Sequence, residues 1–260
     1  MKQVAVTCLG VGDGLACVGR GHAAFLYQLG DATLLVDAGE PVSAGYKAGG
    51  YSPDLVDAII LSHRHFDHIG GLFMLVQGWW IERRSRGLSI RMPRYGMEPV
   101  KALLQNSLFI EEQLRFKIDF ATLMGGEVAR VRDVKVTPYH TTHMNRLQAA
   151  MPEKDPAAFE CFCFLIEAEG RRIGHSADLG APEDLEPLLR EPLDLLVCEL
   201  AHFEPEALFE YLKGREIGRL ALVHLGGPCW EKREAIQTMA EAILPGVEVR
   251  IPNDGDVVTV

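Results

Sequence analysis

No stretch of this 260-residue chain approaches the ~20 consecutive apolar residues that a membrane-spanning helix needs. The longest apolar runs, such as Leu55–Leu61, are short and carry a charge. The first residues, MKQVAVTCLG, lack the apolar core and small-residue cleavage site of a secretory signal. No CxxC pair occurs among the six cysteines, Cys8, Cys17, Cys161, Cys163, Cys198 and Cys229. In a chain of this size without a signal they are expected to be reduced and mostly buried, which places the protein in the cytoplasm. An excess of positive charge is also missing. Asp and Glu number 36 against 26 Lys and Arg, a formal net charge of −10. That balance argues against general binding of nucleic acid or of an anionic membrane. Neither a low-complexity tract nor an interdomain linker is evident, so residues 1–260 are expected to form one domain.

What is present is a full complement of core residues, 48% hydrophobic against 24% charged. Val4–Leu9 reads as a strand that ends in a Gly-rich loop. Ala23–Leu29 and Thr33–Val36 flank Gly30-Asp31, a connection suited to a tight hairpin. Ala58–Leu61 is a fully apolar strand, Gly70–Glu82 has helical spacing and Leu88–Met92 a strand pattern. Gly96–Leu114 reads as helix, and Phe120–Pro138 as short strands. Phe159–Ala168 and Arg171–His175 form a second hairpin around Glu169-Gly170. Strands Leu193–Cys198 and Arg219–His224 then alternate with helices near Pro182–Arg190, Glu204–Leu212 and Trp230–Ile243. Two short strands, Val247–Ile251 and Val257–Val260, end the chain. The similar order of elements in the two halves hints at an internal repeat. Two sheets packed face to face with helices outside each would bury this many apolar strands.

The chemistry concentrates in LSHRHFDHIGG, where His63, His65, Asp67 and His68 fall within six residues after an apolar strand. Gathering three imidazoles and a carboxylate at a sheet edge is costly unless a cation coordinates them. Neutral imidazole and carboxylate are usual partners of zinc where sulfur is absent.

HRHFDH matches the HxHxDH signature of the metallo-β-lactamase-fold superfamily, and the chain resembles that family over nearly its whole length. The opening VTCLGVGDG and LLVDAGE resemble the family's first strands. Asp37 there implies a residue that supports the metal loop without binding metal. The resemblance implies an α+β fold, a four-layer αββα sandwich. It also implies further ligands at strand ends. VKVTPYHTTH offers His140 and His143, of which the register counted from Val136 favours His143 and leaves His140 beside the pocket. In GHSADLG, Asp178 resembles the carboxylate that bridges two metals. Spacing alone would equally allow it to cap a helix. His224, closing LALVHLGG, resembles the last metal histidine.

The implied set is His63, His65 and His143 on one ion, Asp67, His68 and His224 on the other, and Asp178 between them. Two divalent ions are implied, Zn2+ foremost, with Mn2+ or Fe as alternatives. Such a pair can share a hydroxide, which then serves as nucleophile. CELAHF adds Glu199 and His202, which resemble the glutamate and proton-donating histidine of the ribonuclease Z-like phosphodiesterases. His202 also stands before a helix it could cap. The chain departs from that branch in lacking an evident long basic arm, in compressing the pair into ExxH, and in its acidity. These departures speak against tRNA and towards a small or short phosphodiester substrate, cleaved by a dinuclear hydrolase with Asp67, His202 and Glu199 as catalytic groups. A carboxylic ester, thioester or lactone hydrolase is the alternative, and an iron-dependent sulfur oxygenase a more distant one. A homodimer is compatible with the family.

Weaker signals remain. Arg83, Arg84, Arg86, Arg91 and Arg94 could contact phosphates or form a solvated surface. Trp79 or Trp80 belongs to a helix face in the core. Cys161 and Cys163 share a strand face without a second pair. His22 and His175 lie where they could reach a pocket.

Overall fold

The computed structural model describes residues 3–110 and 113–260. Each half of the chain builds most of one sheet. The first sheet takes β1 (Val4–Gly10), β2 (Ala24–Leu29), β3 (Ala32–Val36), β4 (Ala58–Ile60), β5 (Leu88–Met92) and β6 (Ile118–Thr122). The second takes β7 (Ala129–Val131), β8 (Val134–His140), β9 (Phe162–Ala168), β10 (Arg171–His175), β11 (Leu193–Leu200), β12 (Ile217–Leu225) and β13 (Glu248–Arg250). The last strand, β14 (Val257–Thr259), returns to pair with β1. In both sheets an antiparallel meander gives way to parallel strands, at β3 in the first and at β10 in the second. This common order is what the similarity of the two sequence halves reflects.

Alternation along each strand assigns its side chains to two layers. Leu34, Val36 and Ile60 face inward and meet Phe162, Phe164, Leu195 and Val223 of the opposite sheet. Leu35, Ile59 and Ile90 face outward and are covered by α1 (Val42–Ala48), α3 (Leu72–Ile81) and α4 (Arg94–Asn106), with the short α2 (Phe66–Ile69) preceding α3. The second sheet presents Leu196, Cys198 and Leu222 to α6 (Pro205–Leu212) and α8 (Arg233–Ile243). A small α5 (Asn145–Ala150) follows β8, and α7 (Gly227–Glu231) follows β12. The expected four layers, helix–sheet–sheet–helix, are therefore present. All six cysteines are free, with Cys8, Cys161, Cys163 and Cys198 buried. No helix among the described residues is long and apolar enough to cross a membrane.

Three helix expectations need correction. The helix read over Gly96–Leu114 begins at Arg94 and stops at Asn106; residues 111 and 112 of that stretch lie outside the described residues. Leu108 adopts φ 64°, and the amides of Leu108 and Phe109 bond back to Gln105 and Leu104, a closure that uses up the terminal carbonyls. The helix read near Pro182–Arg190 is only a 3-10 turn, Pro182–Leu185. Glu186 keeps a helical backbone, φ −51° and ψ −42°, but Pro187 after it has no amide with which to continue the ladder. The helix read over Trp230–Ile243 is two helices that begin at Gly227 and break at Lys232. Helices α1, α2 and α5 carry no strong sequence signal and were not foreseen.

The arginine cluster is structural in large part. Arg84 is fully buried against Trp79 and donates to the carbonyls of Pro53, Val56, Arg86 and Gly87. Arg86 pairs with Asp57, and Arg91 donates to the Arg130 carbonyl. Trp79 is in the core, whereas Trp80 is half-exposed and donates to the carbonyl of Gln113. Arg84→Met would strand those four carbonyls beneath α3, an expected loss of about 2–4 kcal/mol. The thermal midpoint should fall by about 5–15 °C. Arg86→Ala, which removes a half-exposed partner, should cost under about 1 kcal/mol in the same melting experiment.

Candidate metal centre

The parallel strands and β8 deliver their chemistry to one rim. Asp37 follows β3, Ser62 and His63 follow β4, His143 follows β8, and Asp178 follows β10. Glu199 and His202 lie at the end of β11, and His224 at the end of β12. Carboxyl ends of parallel strands are where open sheets of this kind place ligands, because the chain there leaves the sheet and exposes its loops.

Local backbone devices aim the side chains. Asp37, Ala177 and His224 adopt φ of 59°, 46° and 52°, a left-handed region that non-glycine residues avoid. Their clustering at one rim fits strain retained at a functional site. His224 is the extra residue of a β-bulge, since Glu199 pairs with Val223 but Leu200 pairs with Leu225. The bulge turns its side chain towards the rim, and its amide bonds the Val11 carbonyl at 2.8 Å. After His65 the chain makes the single turn of α2, which brings Asp67 and His68 back towards Asp178.

Two quartets of ligand atoms result. Nε2 of His63, Nδ1 of His65, Nε2 of His143 and Oδ2 of Asp178 lie within 4.8 Å of one another. Asp67, His68, Asp178 and His224 form the second quartet within the same limit. Asp178 belongs to both, with a different oxygen in each. Its Oδ2 is 3.7 Å from His63 and 3.5 Å from His143, while Oδ1 is 3.1 Å from His68 and 3.4 Å from His224. Each of the seven ligand residues implied by the resemblance lies in a quartet, Asp178 in both. His140 does not. It ends β8 with its ring 4.7 Å from that of Phe162, so His143 is the histidine the fold brings in. His22 bonds the Asp13 carbonyl and is in neither quartet, and His175 lies behind the rim, paired with Tyr27.

The electrostatics suit a cation. Burial drives the imidazoles of His63 and His65 below their ordinary value, and that of His143 down to about 4, so these rings are neutral, as ligands must be. Burial alone would raise Asp67, but the neighbouring imidazole of His68 outweighs it and holds the carboxyl at about 2. Asp178 is also held well below its ordinary range: burial opposes this, but His224 and His68 prevail. His68 is pushed well above its ordinary value against the effect of burial, by Asp178 and Asp37. Among the described residues the buried Nε2 of His68 and Oδ1 of Asp178 have no hydrogen-bond partner, and both belong to the second quartet. A nitrogen–oxygen donor set of this kind, with orphaned atoms converging in the second quartet, fits a divalent metal ion.

Outer contacts fix the donors. Asp37 accepts the Ser62 amide at 2.8 Å and the Ser62 hydroxyl at 2.9 Å, and faces His68 Nδ1 at 2.7 Å. It supports the loop, as expected, and is in neither quartet. The carbonyl of Asp178 accepts from Thr141 Oγ1 at 2.9 Å and from the Cys161 thiol at 3.5 Å. Asp184 Oδ2 accepts the amides of Thr142 and Gly180, at 2.9 and 2.8 Å, and so ties the His143 loop to the Asp178 loop. Sequence reasoning misses these supports: Thr141 and Cys161 lie 37 and 17 residues from Asp178, whereas Asp184 stands only four residues after Gly180.

Beside the quartets, Glu199 is buried and His202 Nδ1 lies 2.7 Å from its Oε1. His202 Nε2 is 3.9 Å from Asp178 Oδ2, and its side chain is 33% exposed. Burial lowers its affinity for protons, but the hydrogen bond and charge of Glu199 raise it above the ordinary value overall. Glu199 also accepts the amides of Leu179 and Ala201, at 2.7 and 2.8 Å.

Residues 33–240 match the family model described as "Beta-lactamase superfamily domain". Ribonuclease Z of Archaeoglobus fulgidus is 30% identical over 54% of this chain, a match that takes in 44% of that relative's length. Ribonuclease Z of Halorubrum lacusprofundi is 27% identical over 98% of this chain and 96% of its own. Among solved structures, the metallo-beta-lactamase fold protein YhfI of Bacillus subtilis superposes with a TM-score of 0.77 at 22% identity, over the whole of both chains. The short form of human tRNase Z superposes with 0.72 at 18% identity, over 98% of each. The chain belongs to the beta-lactamase superfamily.

Proposed function

We propose that this chain hydrolyses phosphodiester bonds in small or short single-stranded substrates, using two divalent ions held in the two quartets. The observation that carries the reading is the Glu199–His202 pair beside Asp178. His63, His65 and His143 would hold one ion, Asp67, His68 and His224 the other, and Asp178 both. Bound there, such ions supply Lewis-acid stabilisation of phosphoryl charge and a water activated at neutral pH.

The chain's own groups do the rest. Glu199 accepts from His202 Nδ1, which fixes the ring and leaves Nε2 to present its proton at the rim. That proton goes to the leaving oxygen, and Glu199 stabilises the imidazolium beforehand. Asp37 and Ser62 hold the His68 ring in place. Between Asp178 and Glu199 the chain makes only the Pro182–Leu185 turn before β11, which gives an RNA-gripping arm no room there. Together with the net charge of −10 this favours a small substrate.

A second reading has its own support. Leu15 and Phe66 are 74% and 83% exposed. Gly14, next to Leu15, lies about one van der Waals contact from Asp67, so both apolar side chains flank the rim. That would suit an acyl substrate, and a carboxylic ester or lactone is the alternative.

Metal analysis of the purified chain should return about two divalent ions per polypeptide, removable by a chelator together with the activity. Asp37→Asn should weaken metal binding about 10–100-fold, measured by competition with a chromophoric chelator.

His202→Ala should lower kcat about 10²–10⁴-fold on a diester with a poor, alkyl leaving group while both ions remain. On a nitrophenyl diester, whose leaving group needs little protonation, the loss should be much smaller. Equal losses on the two substrates would remove His202 as the acid, and turnover of a lactone with neither diester would favour the second reading.

The rate on the alkyl diester should fall as pH rises through the raised value of His202, because its protonated form is the reactive one. Glu199→Gln removes the charge that raises it, so the descending limb of the pH profile should move to lower pH.

A further inference from the structure

Behind the rim, one ionisable pair has no part in the chemistry described so far. Tyr27 and His175 are both buried between the sheets, and Tyr27 Oη lies 2.8 Å from His175 Nδ1. Among the described residues the other ring nitrogen, Nε2 of His175, has no hydrogen-bond partner, and neither has Nδ1 of His224. His224 belongs to the second quartet through its Nε2, so the orphaned Nδ1 is the atom that faces away from the candidate ion. Both histidines line one small cavity of about 10 Å³, together with Phe25, Asp37, His68 and Val223. That is room for about one water molecule.

We propose that His175 is a positioning residue for the second metal quartet: a single buried water joins its Nε2 to Nδ1 of His224, and Tyr27 holds His175 in place. The proposal rests on the paired-cation reading above. Metal-binding histidines generally donate their second N–H to an acceptor, which sets the tautomer and the ring orientation. His224 needs such a partner more than its neighbours do. It sits on a bulge with φ 52°, and no carboxylate serves it as Asp37 serves His68. If Tyr27 donates to Nδ1 of His175, Nε2 carries the proton and must donate. If Nδ1 donates to Tyr27, Nε2 must accept. Water serves either case while accepting from His224. Burial also pushes His175 down to about 4, so the ring is neutral and has one nitrogen of each kind.

The test is a metal titration, independent of turnover. Wild type, His175→Phe, His175→Gln and Tyr27→Phe are titrated with Zn2+ against a chromophoric chelator, and with Co2+ while the visible spectrum is recorded. Melting of the metal-free chains shows that each variant folds. Wild type should take two ions. In His175→Phe one of the two should bind about 10–100-fold more weakly, with altered cobalt bands. His175→Gln, whose amide can still bond the water, should recover most of the affinity, and Tyr27→Phe should weaken the same ion less severely. Wild-type affinity and spectrum in His175→Phe, or equal losses in the Phe and Gln variants, overturn the proposal. Should His175→Phe not fold, Tyr27→Phe decides, because it removes only a hydroxyl; unchanged affinity there is fatal to the idea. A wild-type chain that takes fewer than two ions overturns the paired-cation reading and this proposal with it. Two ions in wild type and indifference in the variants overturn this proposal alone.

Discussion

A single buried carboxylate, that of Asp178, holds the rim together. Its two oxygens face different sets of imidazoles, so it links residues from both sheets. Burying a charge at that depth is expensive unless every lone pair finds a partner. The backbone around it is held in turn: Thr141 and Cys161 hold its carbonyl, Glu199 holds the next amide, and Ala177 before it accepts a left-handed backbone. These groups sit within β11 or beside the ends of β8, β9 and β10, so Asp178 is aimed by four neighbouring strands of the second sheet. Site and fold are coupled through this one side chain.

The same carboxylate explains the division of roles among the histidines. The rings that meet Oδ2 are His63 and His143, whose neutral state is favoured by burial. The ring pressed between Asp178 and Asp37 is His68, where two carboxylates outweigh burial. Three aspartates thus face their histidines at one rim. Carboxylates gathered in that way attract a small cation. The arginines that could have offset their charge are used elsewhere, Arg84 and Arg91 against backbone carbonyls and Arg86 against Asp57.

The sequence made the local part of this arrangement legible and concealed the rest, for physical reasons. His63, His65, Asp67 and His68 were visible because one strand end and one helical turn carry all four. His143, Asp178 and His224 are separated by tens of residues, and only the family resemblance joined them. The register counted from Val136 favours His143 over His140, and the structure supplies a reason: β8 ends at His140, beside Phe162, and the chain turns before it reaches the rim. The layers were legible from apolar alternation. Helix ends were less so: Leu108 closes α4 through a backbone conformation that its residue type does not advertise, and Lys232 breaks a stretch whose apolar spacing continues. Thr141 and Cys161 left no local trace because their partner is a backbone group of another loop, whereas Asp184 follows Gly180 and Ala181 at the spacing of a capping residue.

The compressed ExxH element shows how a short segment can serve two masters. Glu199 is still within β11, and therefore buried; three residues later the chain has left the sheet, and His202 reaches solvent. One carboxylate consequently holds the candidate proton donor through Oε1 and braces the Asp178 turn through the amide of Leu179. Any shift of the Asp178 turn is transmitted to His202 through an atom that both share. In an arrangement with the glutamate and histidine on separate loops, the two could move independently. Here the candidate acid and the Asp178 turn are held by the same carboxylate, that of Glu199 near the end of β11.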